Sequence, residues 1–237
     1  MPWRSSPTAI FWLFSLLVIT VATNSAGQDI FVTPIPGAPF SAVIEVERKQ
    51  ILPDGATVAL KTVRSIGRDS QGRVHNERRT LLPIASTQAP QILSIHLYDP
   101  KTRISAVLDP ANRTYWTSTL NHPPATVPPT VRFGLPPGDT LPHNDFTADE
   151  DLGVRDMEGL PAHGVRKTQT VPDESGTNKD LVVTDEYWYS DELRINLLIT
   201  HIDPRTGTVT MKVSRVTRSD PDPAFFEIPE GYKLARK

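Results

Sequence analysis

The clearest pattern in the chain is an alternation of apolar and polar residues with a period of two. Ala42, Ile44 and Val46 occupy one phase of the first such segment, and Glu45 and Glu47 occupy the other. A period of two places one phase on each face of a β-strand, so the pattern predicts strands with one buried face. Similar segments follow at residues 58–63, 92–98, 104–108, 152–166, 181–189, 193–202 and 208–216.

Three of the breaks between these segments share the sequence Asp-Pro-x-Thr/Asn-Arg/Gly. They begin at Asp99, Asp109 and Asp203. An aspartate side chain can accept a hydrogen bond from the backbone two residues on, and the proline presets the first central φ. Each copy therefore predicts a tight reversal between two antiparallel strands.

Two other segments depart from the strand pattern. Residues 120–148 contain seven of the 23 prolines and are interpreted as an irregular crossover outside one sheet, with a linker between two domains as the alternative. Residues 220–229 predict one short helical turn that lays Phe225 or Phe226 on the sheet. The mostly polar segment 73–81 is either a strand with one solvated face or a charge-protected edge.

These patterns together predict a mainly β protein. No stretch after the N-terminal region has a 3.6-residue apolar stripe, and prolines this frequent are incompatible with a helical bundle. We expect one β-rich domain over residues 27–237, a strongly curved antiparallel sheet (an incomplete barrel) of about 10–12 strands with little helix.

The N-terminal region has a different character. Arg4 precedes a mainly apolar run of 14 residues from Ala9 to Ala22, and small polar residues follow. A helix of 14 residues rises only about 21 Å, short of the roughly 30 Å hydrocarbon core of a membrane. Residues 1–26 are therefore predicted to be a secretory signal peptide, which implies a periplasmic or secreted protein; the alternative is an uncleaved anchor.

Composition removes several function classes. The chain has no cysteine, which excludes disulfides, thiolate catalysis and cysteine-ligated metals. Its net charge of −2 does not suit nucleic acid as a partner.

Motifs that would indicate catalysis or a cofactor are absent from the sequence. It contains no nucleophile elbow, phosphate loop or dinucleotide fingerprint. His201 and Asp203 could share a strand face and orient an imidazole, but a strand-end histidine beside a turn aspartate is the favoured interpretation. No catalytic residue, metal site or cofactor is predicted. The acidic cluster is interpreted as a solvated loop; it comprises Asp145, Asp149, Glu150 and Asp151.

Five arginines lie close together in the chain, namely Arg64, Arg68, Arg73, Arg78 and Arg79. Of these, Arg73, Arg78 and Arg79 are candidate contacts for anionic headgroups or for carboxylates of a partner. The alternative is an edge and hairpin tip kept soluble by charge.

Aromatic residues form a second candidate site. Tyr187 and Tyr189 share one face of a predicted strand, and Trp188 takes the other. With Tyr115 and Trp116 they are candidate ligand-binding residues, since aromatic rings line grooves for apolar ligands. The alternative is that these rings belong to the core or to covered surface.

The C-terminal part of the chain resembles the LolA/LolB-like superfamily of periplasmic lipoprotein carriers and related outer-membrane lipoprotein-sorting proteins. The matching features are the strand pair at 152–166, the strand Asp185–Leu193 with its Tyr-Trp-Tyr centre, and the ending Phe-Phe-Glu-Ile-Pro-Glu-Gly-Tyr at 225–232. The resemblance covers about residues 150–235. It implies a curved sheet that cups an apolar cavity beneath lid helices, for which the segment 120–148 would substitute here. Without a cysteine for a lipid anchor, it implies a soluble periplasmic form.

The expected function is therefore that of an exported, non-enzymatic protein. It would bind an apolar ligand, a lipid, an acyl chain or a lipoprotein on the concave face of the sheet, with peripheral contact to the envelope. The alternative is a cell-envelope interaction module without a ligand cavity. An enzyme built on His201 and Asp203 is a third hypothesis.

Overall fold

The computed structural model describes residues 29–120, 146–172 and 180–235. Its only helical element in those ranges is a single 3₁₀ turn, Pro223–Phe226. The strands are β1 (Phe40–Ile51), β2 (Thr57–Arg68), β3 (Val74–Arg79), β4 (Leu82–Pro83), β5 (Ile92–Asp99), β6 (Ile104–Asp109), β7 (Thr114–Thr119), β8 (Thr147–Met157), β9 (Leu160–Val171), β10 (Leu181–Ser190), β11 (Ile195–Asp203), β12 (Gly207–Thr217) and β13 (Lys233–Leu234).

All 13 strands belong to one sheet with the order β13-β7-β6-β5-β3-β2-β1-β12-β11-β10-β9-β8, and β4 pairs with β2 beside this path. The pairs are antiparallel except β13 with β7. The sheet is not closed, so the predicted mainly β fold, a curved and incomplete barrel, is confirmed. No helix in the described ranges is long and apolar enough to cross a membrane.

Strand β1, near the middle of the sheet, connects strands from the N-terminal and C-terminal parts of the chain. β1 pairs with β2 on one side and with β12 on the other, so Ile44 lies beside Arg64 and Val213. Residues opposite each other in register share a face of the sheet. We call the face that carries Ile44, Val46, Arg64, Met211 and Val213 the pocket face, and the opposite face the tail face.

The first described residues pack on the pocket face. Ile30 and Val32 are buried in the same core cluster as Phe40 and Ile44. Because these side chains belong to residues before β1, the N-terminal segment covers part of the apolar stripe that β1 presents on this face.

A buried arginine fastens this segment to the sheet. Arg68 is fully buried and donates hydrogen bonds to the carbonyls of Thr33, Ala38 and Leu193 at 2.7–2.9 Å. Burial, together with the nearby Arg194, lowers the pKa of Arg68 to about 10. A planar group with five donors can serve several carbonyls at once.

This arrangement corrects one interpretation of the arginine-rich region. β3 lies between β2 and β5 in the sheet, so it is not a charge-protected edge. Arg64 and Arg68 are buried rather than solvated. Charge density along the chain could not separate an edge strand from an interior strand whose arginines are paired.

The C-terminal tail crosses the tail face, as the sequence predicted. Phe225 stacks on His75 with 3.7 Å between ring centroids, and Phe226 is buried. Further along, Ile228 and Tyr232 pack against the cluster that contains Leu97. The tail therefore supplies the apolar cover that β5 and β6 need on this side.

The three Asp-Pro turns form as expected. In the turns at Asp99 and Asp203, the aspartate side chain accepts a hydrogen bond from the backbone N–H two residues later, at 2.8 and 2.9 Å. In the turn at Asp109, it accepts a hydrogen bond from the backbone N–H three residues later, at 3.2 Å. The fifth residue of each turn has a positive φ, in chain order 60°, 50° and 112°. At Gly207 a side chain is also excluded by space, because a Cβ there would overlap the carbonyl of Lys49.

Candidate functional site

A pocket of about 150 Å³ opens on the pocket face beside the N-terminal segment. Its apolar lining comes from Val46 of β1, Val209 and Met211 of β12, and Leu81 next to β4. Its polar lining comes from Asp29, Arg48, Thr62, Arg64, Arg78 and Arg79.

Strand register explains why these residues meet. Val46 lies opposite Thr62 of β2 and opposite Met211 of β12. Arg48, two residues further along β1, lies opposite Val209. Since side chains two apart in a strand share a face, the end of the β1 apolar stripe is continued by an arginine over the same pocket.

Two of the four pocket arginines are held by carboxylates. Arg64, which is 7% exposed, forms an ion pair with Asp29 and donates to the Asn76 side chain at 3.1 Å. Arg79 Nε lies 2.8 Å from Glu77 Oε2. These two guanidinium groups are therefore neutralised within the fold.

Glu77, which shares the tail face with His75 two residues away on β3, holds Arg79 in place. Burial raises its pKa, but the neighbouring His75 and hydrogen bonds from Arg79 and the Ser65 N–H outweigh burial and lower the pKa to about 2. The carboxylate is thus held in its charged form by fixed donors.

The other two pocket arginines are open. Arg48 is half-buried and Arg78 is exposed. Neither guanidinium group makes a hydrogen bond or ion pair with any residue in the described ranges. Of the three arginines predicted from the sequence as headgroup contacts, the structure places Arg78 and Arg79 at the pocket.

Arg73, the third, lies elsewhere. Its Nε is 2.6 Å from Asp69 Oδ2, and its guanidinium carbon is 5.1 Å from the centre of the Phe226 ring. These contacts tie Arg73 to the C-terminal tail rather than to the pocket.

Thr62 adds an unusual polar group. Its side chain is 7% exposed, and Oγ1 has no hydrogen-bond partner among the described residues. A buried hydroxyl without a partner is unfavourable, so a threonine in this state at a pocket wall indicates a place for an acceptor.

The aromatic strand at 187–189 stands apart from the pocket. Tyr187 packs against the main core cluster, and burial, with a contribution from Asp185, raises its pKa to about 12. Tyr189 is half-buried on the same face, and burial also raises its pKa.

Trp188, on the opposite face, is 6% exposed. Its indole Nε1 donates to Glu186 at 2.6 Å, and the Arg155 guanidinium lies 3.7 Å from the ring centre. The ring packs so closely on Gly164 that a Cβ at that glycine would approach it to 2.7 Å. Trp188 is covered by the protein itself.

The remaining two predicted aromatic residues lie on β7. Tyr115 packs with the tail-face cluster, whereas Trp116 is 46% exposed on the other face. Between β7 and β10 the sheet order places β6, β5, β3, β2, β1, β12 and β11. The structure therefore separates the five aromatic residues into two groups, and their role as ligand contacts stays a prediction.

The possible catalytic pair is not assembled. His201 Nδ1 lies 2.8 Å from Asp185 Oδ1 across the β10–β11 pair, while Asp203 is bonded to Arg205 of its own turn at 2.8 Å. In the parts of the chain that the structure describes, no three His, Asp or Glu side chains group as metal ligands.

The acidic cluster also differs from its interpretation as a loop. Except for Asp145, which lies outside the described residues, its members belong to strand β8. Asp149 and Glu150 lie opposite Lys167 and Arg166 of β9 in the register, whereas Asp151 lies opposite Val165 and reaches the side chain of His163. The pairs are Asp149 with Lys167 at 3.6 Å, Glu150 with Arg166 at 2.8 Å and Asp151 with His163 at 2.8 Å.

Sequence reasoning missed Arg48 and Thr62, although a signal was present. Arg48 continues the phase of Ile44 and Val46, which is the buried phase of β1. A cation in the apolar phase of a strand must be paired or line an opening. No such signal in the sequence indicated that β12 lines the pocket, because Val209 and Met211 are apolar residues that are common in any core.

The pocket combines apolar side chains with positively charged ones in its lining. Its described lining contains no histidine and no lysine, and its one carboxylate, Asp29, is engaged by Arg64. What remains is an apolar floor beside two guanidinium groups with free donors, which fits a molecule that is apolar at one end and polar at the other.

Matches to known proteins were found among solved structures. No protein-family model matches the chain, and no curated protein matches its sequence. Among solved structures, the chain is similar to MucB, with 11% identity, a TM-score of 0.37, and coverage of 82% of this chain and 58% of MucB. It thus spans little more than half of that protein.

Two further similar structures are a LolA superfamily protein from Nitrosomonas europaea and LprF from Mycobacterium bovis. The first has 12% identity and a TM-score of 0.32, covering 82% of this chain and 92% of that one. The second has 12% identity and a TM-score of 0.30, covering 79% and 90%. All three similarities are remote, and the curved, incomplete barrel is established by the strand order of the sheet itself.

Proposed function

We propose that this protein is an exported, non-enzymatic binding protein that holds one end of an amphiphilic ligand, such as a lipid, in the pocket beside β1 and β12. The observation that carries the proposal is the combination of an apolar floor, formed by Val46, Val209 and Met211, with unpaired arginines at its rim. Burial of methylene groups on that floor would supply the binding free energy.

The size of the pocket limits what it holds. Its volume of about 150 Å³ is well below the roughly 300 Å³ typical of a drug-sized ligand. A protein cavity of roughly 150 Å³ accommodates a molecule such as benzene. The pocket therefore takes about six non-hydrogen atoms, the head end and the first few carbons of a chain, and the rest of the chain would leave past Leu81, which is 38% exposed.

Export is the other part of the proposal. The signal peptide expected at residues 1–26 lies outside the described residues, and the proposal rests on the sequence pattern of a charged start, a short apolar run and a small-residue exit. A periplasmic or secreted location would place the pocket where envelope lipids are available.

A binding titration with a dansyl-labelled fatty acid tests the function. We expect saturable binding to the purified protein, and displacement by unlabelled dodecanoate. Val209→Trp, which fills the pocket, should weaken binding by roughly tenfold or more, since it removes most of the apolar burial. Thr210→Trp puts the same ring on the other face of β12 and should leave binding within about twofold.

The absence of saturable binding would contradict the proposal and favour the interaction-module alternative. Equal weakening by both tryptophan variants would also contradict it, because the fatty acid would then not occupy this pocket.

A further inference from the structure

We infer that the ligand carries an anionic headgroup, a carboxylate or a phosphate, and that Arg48, Arg78 and Thr62 bind it. This inference rests on the proposed function and adds the chemical class of the ligand. It depends on three observations, namely the charge left over at the pocket, the placement of the two open arginines, and the unpartnered threonine hydroxyl.

The first observation is a local excess of positive charge. The ten lining residues include four arginines and a single carboxylate, Asp29, although the whole chain has a net charge of −2. Asp29 neutralises Arg64, and Glu77 neutralises Arg79 from outside the lining. Two guanidinium groups then remain for a ligand, and they would repel a cationic one.

The second observation is where these two groups stand. Arg48 lies on β1 and Arg78 on β3, and β2 runs between these strands. Both side chains line the same pocket from opposite sides of β2. Guanidinium groups present planar pairs of donors that match the oxygens of a carboxylate or phosphate, so two of them can clamp one headgroup.

The third observation is Thr62, on β2 between the two arginines. Its hydroxyl is buried and has no partner within the described ranges. The hydroxyl has almost no accessible surface as it stands, so rotation about χ1 of Thr62 would turn it toward the pocket, where it would donate a hydrogen bond to an anionic oxygen seated between Arg48 and Arg78. The ligand would thereby remove the energetic cost of the unpartnered group.

Half-burial of Arg48 strengthens the inference. Its side chain lies next to Val209 and Val46, so part of its surroundings is apolar. Charge-assisted hydrogen bonds are stronger where water is partly excluded, so an anion here would gain more than at an open surface.

The test compares four ligands that share one alkyl chain: dodecanoate, dodecyl phosphate, dodecanol and dodecyltrimethylammonium. Each displaces the dansyl-labelled fatty acid from the purified protein below its micelle concentration. We expect at least one anion to bind about tenfold or more tightly than dodecanol, and the cation to bind most weakly. The ratio of dodecanoate to dodecyl phosphate distinguishes a fatty-acid headgroup from a lipid phosphate.

Variants test whether Arg48, Arg78 and Thr62 cause the preference for an anion. The double variant Arg48→Gln/Arg78→Gln should bind the preferred anion and dodecanol within about twofold of each other. Thr62→Val keeps the side-chain shape and should weaken anion binding by about threefold or more while leaving dodecanol unchanged. The matched control Lys49→Gln/Lys101→Gln removes two exposed charges away from the pocket and should keep the full preference.

The outcomes separate this inference from the proposed function. Equal binding of anions and dodecanol to the wild-type protein would overturn the inference while the proposed function stands. A preference that survives in Arg48→Gln/Arg78→Gln would overturn the assignment to these residues. If none of the four ligands binds, the proposed function fails and the inference fails with it.

Discussion

At the scale of single residues, the charged side chains of this sheet fall into two groups. Arg64, Arg68 and Glu77 are nearly or fully buried, and each is matched by fixed partners within the fold. Arg48 and Arg78 have no partner in the described parts of the chain. Since a buried charge needs compensation, the first group stabilises the fold, whereas the second is the group that we propose for recognition of a ligand.

Glu77 leads to a prediction about acid stability. Its pKa of about 2 in the folded protein is below the value near 4.5 of an unfolded glutamate. Its contribution, about 3 kcal/mol, is therefore complete above pH 4.5 and is lost as the pH falls through about 2. Urea unfolding measured at several pH values should show a shallower loss of stability below pH 4.5 in Glu77→Gln than in the wild type.

The control is Glu47→Gln, which removes an exposed carboxylate of β1. It should reproduce the pH dependence of the wild type. A Glu77→Gln variant whose stability falls as steeply with acid as that of the wild type would show that Glu77 is not the group responsible.

At the scale of elements, the alternation of residues and the Asp-Pro turns were sufficient to predict most strands and the C-terminal tail. These two features depend on local properties of the chain, namely the period of two in a strand and the conformational preferences of Pro, Asp and Gly. The interior position of β3 and the pairing of Asp149, Glu150 and Asp151 could not be predicted, because they depend on which strand lies beside which. Of the predicted contacts Arg73, Arg78 and Arg79, the last two line the pocket, and their role as contacts stays a prediction. The sequence analysis missed Arg48 and Thr62.

The tail is an element whose contribution can be measured. Phe226 is 8% exposed and meets Phe225 edge to face at 5.5 Å. Phe226→Ala should lower the free energy of unfolding by about 3 kcal/mol, since the truncation removes a buried ring. Phe31→Ala is the same chemical change at a residue that is 66% exposed and should alter stability by no more than about 0.5 kcal/mol.

Urea denaturation of both variants checks this prediction. Equal stabilities of Phe226→Ala and Phe31→Ala would mean that the tail does not pack on the sheet in solution. A large loss for Phe226→Ala alone would support the role of the tail as a cover of the tail face.

At the scale of the whole molecule, the pocket exists because distant parts of the chain meet at β1. β1 joins β2 to β12, so Val46 and Met211, far apart in sequence, form one floor. No local pattern specifies such a pairing, and for this reason the sequence analysis placed the candidate ligand contacts on the aromatic residues at 115–116 and 187–189 and not at this floor. The open sheet then leaves this floor accessible beside the N-terminal segment.

Methyl NMR of methionine tests the central claim most directly. The chain has three methionines; Met211 lies on the pocket floor, Met157 lies at the end of β8, and Met1 belongs to the expected signal peptide. With ¹³C-methyl-labelled protein and increasing dodecanoate, we predict a saturable shift of the Met211 resonance and none of the Met157 resonance. An unchanged Met211 resonance under conditions where the fatty acid is bound would contradict the account.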